Sequence, residues 1–357
     1  MGVTRRTPSA LALVVALTLA ACGGGPAALP RSSPNSGSRV LATFRSEGTV
    51  LQVEEIAHDL DTVWSLAWDR DGSLWYTERP GRLTRVGGQP QRIDGVDEVG
   101  EGGLMGLEID ALGRKYVMYT GIEDNRIVRL EPDGSQRVLV AGIAKADFHN
   151  GGRIRFGPDA ALYASTGDAS KRGLASSGQS LNGKVLRIDP HSGATRVFTS
   201  GHRNVQGLCF SPTGRFLATE HGPDGDDEVN ELRDGLDGGW PATTGNGMKN
   251  YEQSVAPAGC AVYDAALLPR WRGSLLFSTL RGSSLRRLSF NPDGSVKDEE
   301  VLLQDRFGRL RDVSVGPDGS VYMATSNRDG RTQPKPGDDR ILRIAPAPTS
   351  SGRSRAG

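Results

Sequence analysis

The chain has 357 residues, with 43 basic against 42 acidic side chains and 48 glycines. Near-cancellation of charge without a basic block argues against nucleic acid as a partner. The length exceeds one ordinary domain but stays within reach of a single all-β one.

Arg5 and Arg6 precede an apolar run from Leu11 to Leu19, which ends in Ala20-Ala21-Cys22 and three glycines. The run is shorter than the roughly 20 residues that span a bilayer, so residues 1–21 are predicted to be an export signal. Cys22 sits as in a bacterial lipobox and is predicted to become the lipidated first residue of the mature chain. A secretory signal with an incidental cysteine is the alternative. Residues 22–39, rich in Gly, Pro and Ser, read as a flexible tether, and residues 347–357 as a fraying tail. The expected location is therefore outside the cytoplasm, with a lipid anchor on the outer side of the cytoplasmic membrane or cell envelope as the only membrane attachment.

Between residues 40 and 346 a unit recurs six times: a turn with Asp or Gly, alternating apolar residues, a break, then a second strand that mostly carries a basic residue. The copies begin at Asp71-Gly72, Leu112-Gly113, Pro158-Asp159, Pro212-Thr213-Gly214, Arg272-Gly273 and Pro317-Asp318-Gly319. Apolar spacing follows period two and never a sustained helical period. A repeat of roughly 40 to 60 residues fits a four-stranded propeller blade. The fold is therefore predicted to be all-β, a six-bladed β-propeller of four-stranded antiparallel blades, with loops at one end of its channel free to form a site. An array of β-sandwiches would not explain six copies of one unit.

Candidate chemistry follows in chain order. His149 precedes Gly151-Gly152, a pair that lets backbone approach a ligand closely, and Asp168 lies one strand later, where it can orient the imidazole as a general base. The pattern alone favours a structural histidine over a catalytic one. The five histidines show no metal-ligand spacing, which speaks against zinc. Glu220 to Glu228 concentrates carboxylates and carbonyls of a kind that suits Ca²⁺, or else forms a solvated acidic turn. Arginines recur at loop positions, Arg203, Arg281, Arg309 and Arg311, and strand alternation points the last two the same way, towards a polyanionic ligand. Cys209 and Cys260 lie in apolar runs and are expected to be two buried thiols, although an exported compartment permits a disulfide.

Taken together, Gly100-Glu101-Gly102-Gly103-Leu104-Met105-Gly106, His149-Asn150-Gly151-Gly152-Arg153, Leu181-Asn182-Gly183-Lys184, Gly201-His202-Arg203-Asn204, Glu220-His221-Gly222-Pro223 and Arg309-Leu310-Arg311-Asp312 resemble the soluble pyrroloquinoline quinone (PQQ)-dependent sugar dehydrogenases, the glucose/sorbosone or aldose sugar dehydrogenase family. The resemblance runs in order through nearly all of the mature chain. It implies an oxidoreductase that oxidises the anomeric hydroxyl of an aldose to the lactone, with PQQ and Ca²⁺ as cofactors. His149 would be the base, Asp168 its orienting carboxylate, and Arg203 a stabiliser of developing negative charge. Arg281, Arg309 and Arg311 would hold the quinone carboxylates, with Asn204, Glu101 and Ser254 as further cofactor contacts. Gly222 and Pro223 would hold Ca²⁺ by their carbonyls, and Glu228 matches a ligand of a second, structural Ca²⁺.

Three departures bear on the substrate. Glu101 stands where the glucose enzymes have Gln, the loop between Trp240 and Ser254 lacks their aromatic pair and has Lys249 and Glu252 instead, and residues 171–179 do not align. A broad aldose preference is expected, with an aldose as substrate partner and no electron acceptor specified. The readings from other classes are a non-catalytic binding or adhesion propeller and a calcium-dependent lactone hydrolase.

Overall fold

The computed structural model describes residues 39–348 together with Met1 and Gly2. The predicted signal, Cys22, the tether up to residue 38 and the tail beyond residue 348 lie outside the described residues. Everything below concerns residues 39–348.

Six antiparallel sheets form the blades of a propeller, and each copy of the repeat supplies the second and third strands of one blade. From the channel outward, blade 1 comprises Val63–Trp68, Leu74–Glu78, Arg82–Arg85 and Gln91–Arg92; blade 2 comprises Leu104–Ile109, Lys115–Thr120, Asn125–Leu130 and Gln136–Ile143. Blade 3 has Ile154–Phe156, Leu162–Thr166, Lys184–Ile188 and Thr195–Thr199, and blade 4 has Val205–Phe210, Phe216–Glu220, Asp227–Leu232 and Lys249–Tyr251. Blade 5 has Pro257–Val262, Leu275–Thr279, Ser284–Phe290 and Val296–Leu302. Blade 6 departs from the four-stranded expectation: Leu310–Val315, Val321–Thr325 and Ile341–Pro346 are completed by Thr49–Ala57 and then Arg39–Ser46, which makes five strands. The two ends of the ring meet in this sheet, with Val53 opposite Ile344.

The recurring turn is the hairpin between the first two strands of a blade. In blade 1 the amide of Gly72 donates to Asp69 O at 3.0 Å and Asp69 N to Ser73 O at 2.9 Å. The turn needs a left-handed residue, supplied by Gly72 at φ +80°, Gly113, Gly214 and Gly319 at equivalent positions. Blade 3 places Ala160 there at φ +57°, which an L side chain adopts only under strain.

Alternating apolar residues pack blade against blade. Among the described residues six apolar clusters occur, and each falls between two neighbouring blades. Tyr116, Met118, Ile154 and Leu186 fill the boundary of blades 2 and 3, for example. Among the described residues helix is confined to one turn at Gly173–Ser176 and a 3₁₀ turn at Pro269–Trp271. The first of these lies in the segment that the family resemblance does not align. None of the described helices is long and apolar enough to cross a membrane.

The expectation of two free thiols is overturned. Cys209 and Cys260 form a disulfide with Cα atoms 5.9 Å apart. The two residues lie on the innermost strands of blades 4 and 5, which run side by side, and period-two spacing turns both side chains into the same interblade cluster. Apolar surroundings, taken in the sequence as a sign of inert thiols, here bury the bridge.

Candidate active site

Loops entering each innermost strand and loops leaving each second strand share one end of the channel. Glu101, His149, Asp168, Arg203, Asn204, His221, Gly222, Ser254, Arg281, Arg309 and Arg331 all fall at such positions. The single pattern of strand, hairpin and strand thus brings residues more than 200 positions apart to one mouth.

His149 and Asp168 meet as predicted. His149 Nδ1 lies 2.8 Å from Asp168 Oδ1, with the imidazole 20% exposed and the carboxylate 1%. Asp168 Oδ1 also accepts from the amide of Ser170 at 2.8 Å, and Oδ2 accepts from Trp240 Nε1 at 2.9 Å. Burial raises the affinity of Asp168 for a proton, but the donors from His149, Trp240 and Ser170 outweigh it and hold the carboxyl below its ordinary value. An ionised Asp168 facing Nδ1 fixes a proton on that nitrogen and leaves Nε2 with its lone pair. The sequence reading gave Trp240 no role beyond marking one end of a loop. Its 72-residue separation from Asp168 gives no local signal of this bond.

The backbone of the base is itself constrained. His149 adopts φ +62°, a left-handed conformation that costs on the order of 1–3 kcal/mol for a non-glycine residue. It is held there by its amide donating to Glu101 Oε2 at 3.3 Å and by Ala169 N donating to its carbonyl at 3.1 Å. The two glycines that follow serve packing rather than ligand approach. A Cβ at Gly151 would come within 2.6 Å of Ser165 O, and one at Gly152 within 2.7 Å of Met105 Sδ.

The arginines divide into spent and unspent groups. Arg203 Nη1 donates to His221 O at 3.2 Å, its amide to Glu220 Oε1 at 2.5 Å, and its guanidinium lies 5.7 Å from the Trp240 ring centroid. Arg309 is already paired, with Nε and Nη2 both 2.7 Å from Asp329 Oδ2. Part of the anion that the sequence reading placed between Arg309 and Arg311 is therefore supplied by the chain itself. Arg311 is 8% exposed, donates from Nη1 to Gln206 Oε1 at 2.9 Å, and leaves Nε buried without a partner. Burial, with Arg309 adding to it against the opposing Asp329, pulls its guanidinium down to about 10, so it remains a cation at neutral pH. Arg281 is exposed and has no hydrogen-bond or ion-pair partner among the described residues.

Beside Arg311 and Arg203 stands His221, which sequence reasoning did not single out as a functional residue. Its Nε2 is buried and unpartnered, and burial, followed by the charges of Arg311 and Arg203, pushes the imidazole down to about 3, so the ring is neutral. Below these groups the channel is plugged. Arg153 Nη1 donates to Asp312 Oδ2 at 3.1 Å and to Ser65 Oγ at 2.9 Å, with its guanidinium 4.4 Å from the Trp64 centroid. The plug gives the mouth a floor.

The remaining predicted site residues are committed to the protein. Asn204 Oδ1 accepts from Gly151 N and Gln206 Nε2, each at 3.1 Å. Ser254 Oγ donates to Asp227 Oδ2 at 3.0 Å, and Asp227 also accepts the amides of Gly222, Val255 and Ala256. Gly222 is required in this loop, because a Cβ would meet Asp226 O at 2.2 Å. Glu228 spends Oε1 on the amides of Gly245 and Asn246 and Oε2 on Asn230 Nδ2. Lys249 pairs with Glu299 of blade 5 at 3.2 Å, on the outermost strand and away from the mouth. Among the described residues no group of three or more His, Cys, Asp or Glu is placed to hold a metal. A cation here would draw on backbone carbonyls, such as those of Gly222 and Pro223.

The mouth thus combines an oriented base, a neutral buried imidazole and guanidinium donors left without partners, a donor set fitted to a planar polyanion. Residues 60–334 match the family model described as Glucose / Sorbosone dehydrogenase. The PQQ-bound aldose sugar dehydrogenase of Streptomyces coelicolor is 33% identical, with 88% of this chain and 99% of that one covered and a TM-score of 0.74. The aldose sugar dehydrogenase YliI of Escherichia coli is 29% identical over 81% of this chain and 93% of its own length. Quinoprotein glucose dehydrogenase B of Acinetobacter calcoaceticus is 24% identical over 78% and 86%. The chain belongs to the glucose/sorbosone dehydrogenase family.

Proposed function

We propose that this oxidoreductase is a PQQ- and calcium-dependent aldose dehydrogenase, which converts the anomeric hydroxyl of an aldose to the lactone. The observation that carries the reading is the His149–Asp168–Trp240 chain at the same mouth as the unpartnered donors of Arg311 and Arg281. PQQ, when bound, supplies a two-electron acceptor for the hydride leaving the anomeric carbon, and Ca²⁺ at the carbonyls of Gly222 and Pro223 supplies Lewis acidity.

The protein's own part is proton transfer and charge. His149 Nε2 takes the proton of the anomeric hydroxyl, and Asp168 stabilises the imidazolium that results, as a positioned carboxylate does for a general base. Trp240 and the Ser170 amide keep that carboxylate turned towards Nδ1. Arg203, stacked on Trp240, brings a cation beside the base to stabilise developing negative charge. Arg311 and Arg281 hold carboxylates, and neutral His221 offers Nε2 without adding a further positive charge. A lactone hydrolase would bind its metal mainly through side chains, and among the described residues no group of three or more His, Cys, Asp or Glu is placed to do so.

Titration with PQQ and Ca²⁺, followed by dye reduction with a panel of aldoses, tests the reading. Saturable binding with sugar-dependent reduction is expected. His149→Ala is expected to bind PQQ and lose turnover, and unchanged turnover in that variant would sink the mechanism. The same reading has the protein on a Cys22 lipid anchor outside the cytoplasm, and the Cys209–Cys260 bridge supports the location though not the anchor, because disulfides persist in oxidising compartments. Labelling with a fatty-acid analogue that survives Cys22→Ser would overturn the anchor.

A further inference from the structure

One residue beside the base is used by nothing described so far. Phe148 is 48% exposed and is the only aromatic among the exposed large hydrophobic side chains of the described residues. Its ring is not loose. The Arg331 guanidinium lies 5.5 Å from its centroid, and Arg331 Nη2 is 2.5 Å from Glu101 Oε1. The other oxygen of Glu101 accepts from the amide of His149. Arg331 leaves the second strand of blade 6, Glu101 enters blade 2 and Phe148 enters blade 3, so one ion pair ties three blades around the base.

A pyranose presents two chemistries, an apolar face of ring C–H groups and a rim of hydroxyls. An open aromatic face matches the first, and a carboxylate beside a guanidinium matches the second. The geometry points to Phe148 as the platform on which the apolar face of an aldopyranose rests, with Arg331 fixing the ring and Glu101 and Arg331 bonding ring hydroxyls. This rests on the dehydrogenase reading and names the element that selects its substrate.

The test uses Phe148→Ala, Phe148→Trp and Arg331→Gln in the full chain. Phe148→Ala is expected to raise KM for an aldose about tenfold, the scale of a lost aromatic contact, with kcat and PQQ affinity within about twofold of wild type. Phe148→Trp restores KM, and Arg331→Gln raises it without altering PQQ affinity. Saturation-transfer NMR with methyl β-D-glucoside, which has no free anomeric hydroxyl to oxidise, is expected to show contact in the wild type and none in Phe148→Ala. An unchanged KM in Phe148→Ala overturns the platform, as does a parallel fall in PQQ affinity, which would assign Phe148 to the cofactor. A wild type that contacts the glucoside through Phe148 but reduces no dye leaves the platform standing and overturns the dehydrogenase reading instead.

Discussion

On the blade 3 side of the mouth, Asp168 spends both oxygens on three donors, whereas on the blade 5 and 6 side Arg311 keeps a buried Nε without a partner and Arg281 stands exposed. The contrast matches the roles proposed for each side. A base needs one orientation and one tautomer, so its surroundings are saturated with hydrogen bonds before any ligand arrives. Guanidinium groups that receive an anion must keep donors in reserve, at the cost of leaving buried N–H groups unsatisfied, about 1–3 kcal/mol each. Arg309 lies between the two cases, since Asp329 holds its fork in place.

Asp168→Asn should break the saturated side most severely. An amide has no charge to stabilise the imidazolium and no longer fixes the proton on Nδ1, so kcat should fall about 10²–10⁴-fold, with PQQ affinity nearly unchanged in the same titration. The seam between the two sides is the Cys209–Cys260 bridge, which closes a separation of 51 residues. Replacing both cysteines with serine should lower the free energy of unfolding in urea by about 2–4 kcal/mol and leave kcat of the folded enzyme intact. Arg311→Leu should weaken PQQ binding about 10–100-fold, the scale of charged hydrogen bonds, while kcat at saturating cofactor changes far less. The smallest effect is on acid stability. Asp168 titrates below its ordinary value of 3.8 in the folded protein, so its contribution is complete above that value and is lost as pH falls through the lower folded one. Urea midpoints measured from pH 5 downwards should therefore fall more steeply in the wild type than in Asp168→Asn.

The sequence made most of this legible where the signal was local. Six copies of one turn-and-strand unit disclosed the blades, because most blades reuse a tight turn that needs a left-handed residue, and His149 and Asp168 stood in motifs at the ends of neighbouring strands. What stayed hidden depends on contacts made across the ring. The Trp240–Asp168 bond, the Arg331–Glu101 pair and the Asp329 partner of Arg309 join residues that no periodicity relates. The disulfide was misread because burial among apolar residues describes a bridge as well as a free thiol. The fifth strand of blade 6 was missed because the N-terminal strands carry no copy of the repeat.

That fifth strand has a consequence for how the chain is made. Thr49–Ala57 is synthesised before blades 1 to 5, yet its partner Ile341–Pro346 follows them. Until then both are open strand edges with backbone groups ready to pair with another chain. Ring closure is therefore a late event, and a chain stopped just short of residue 341 would carry every residue of the mouth and still lack the clasp that holds the mouth together.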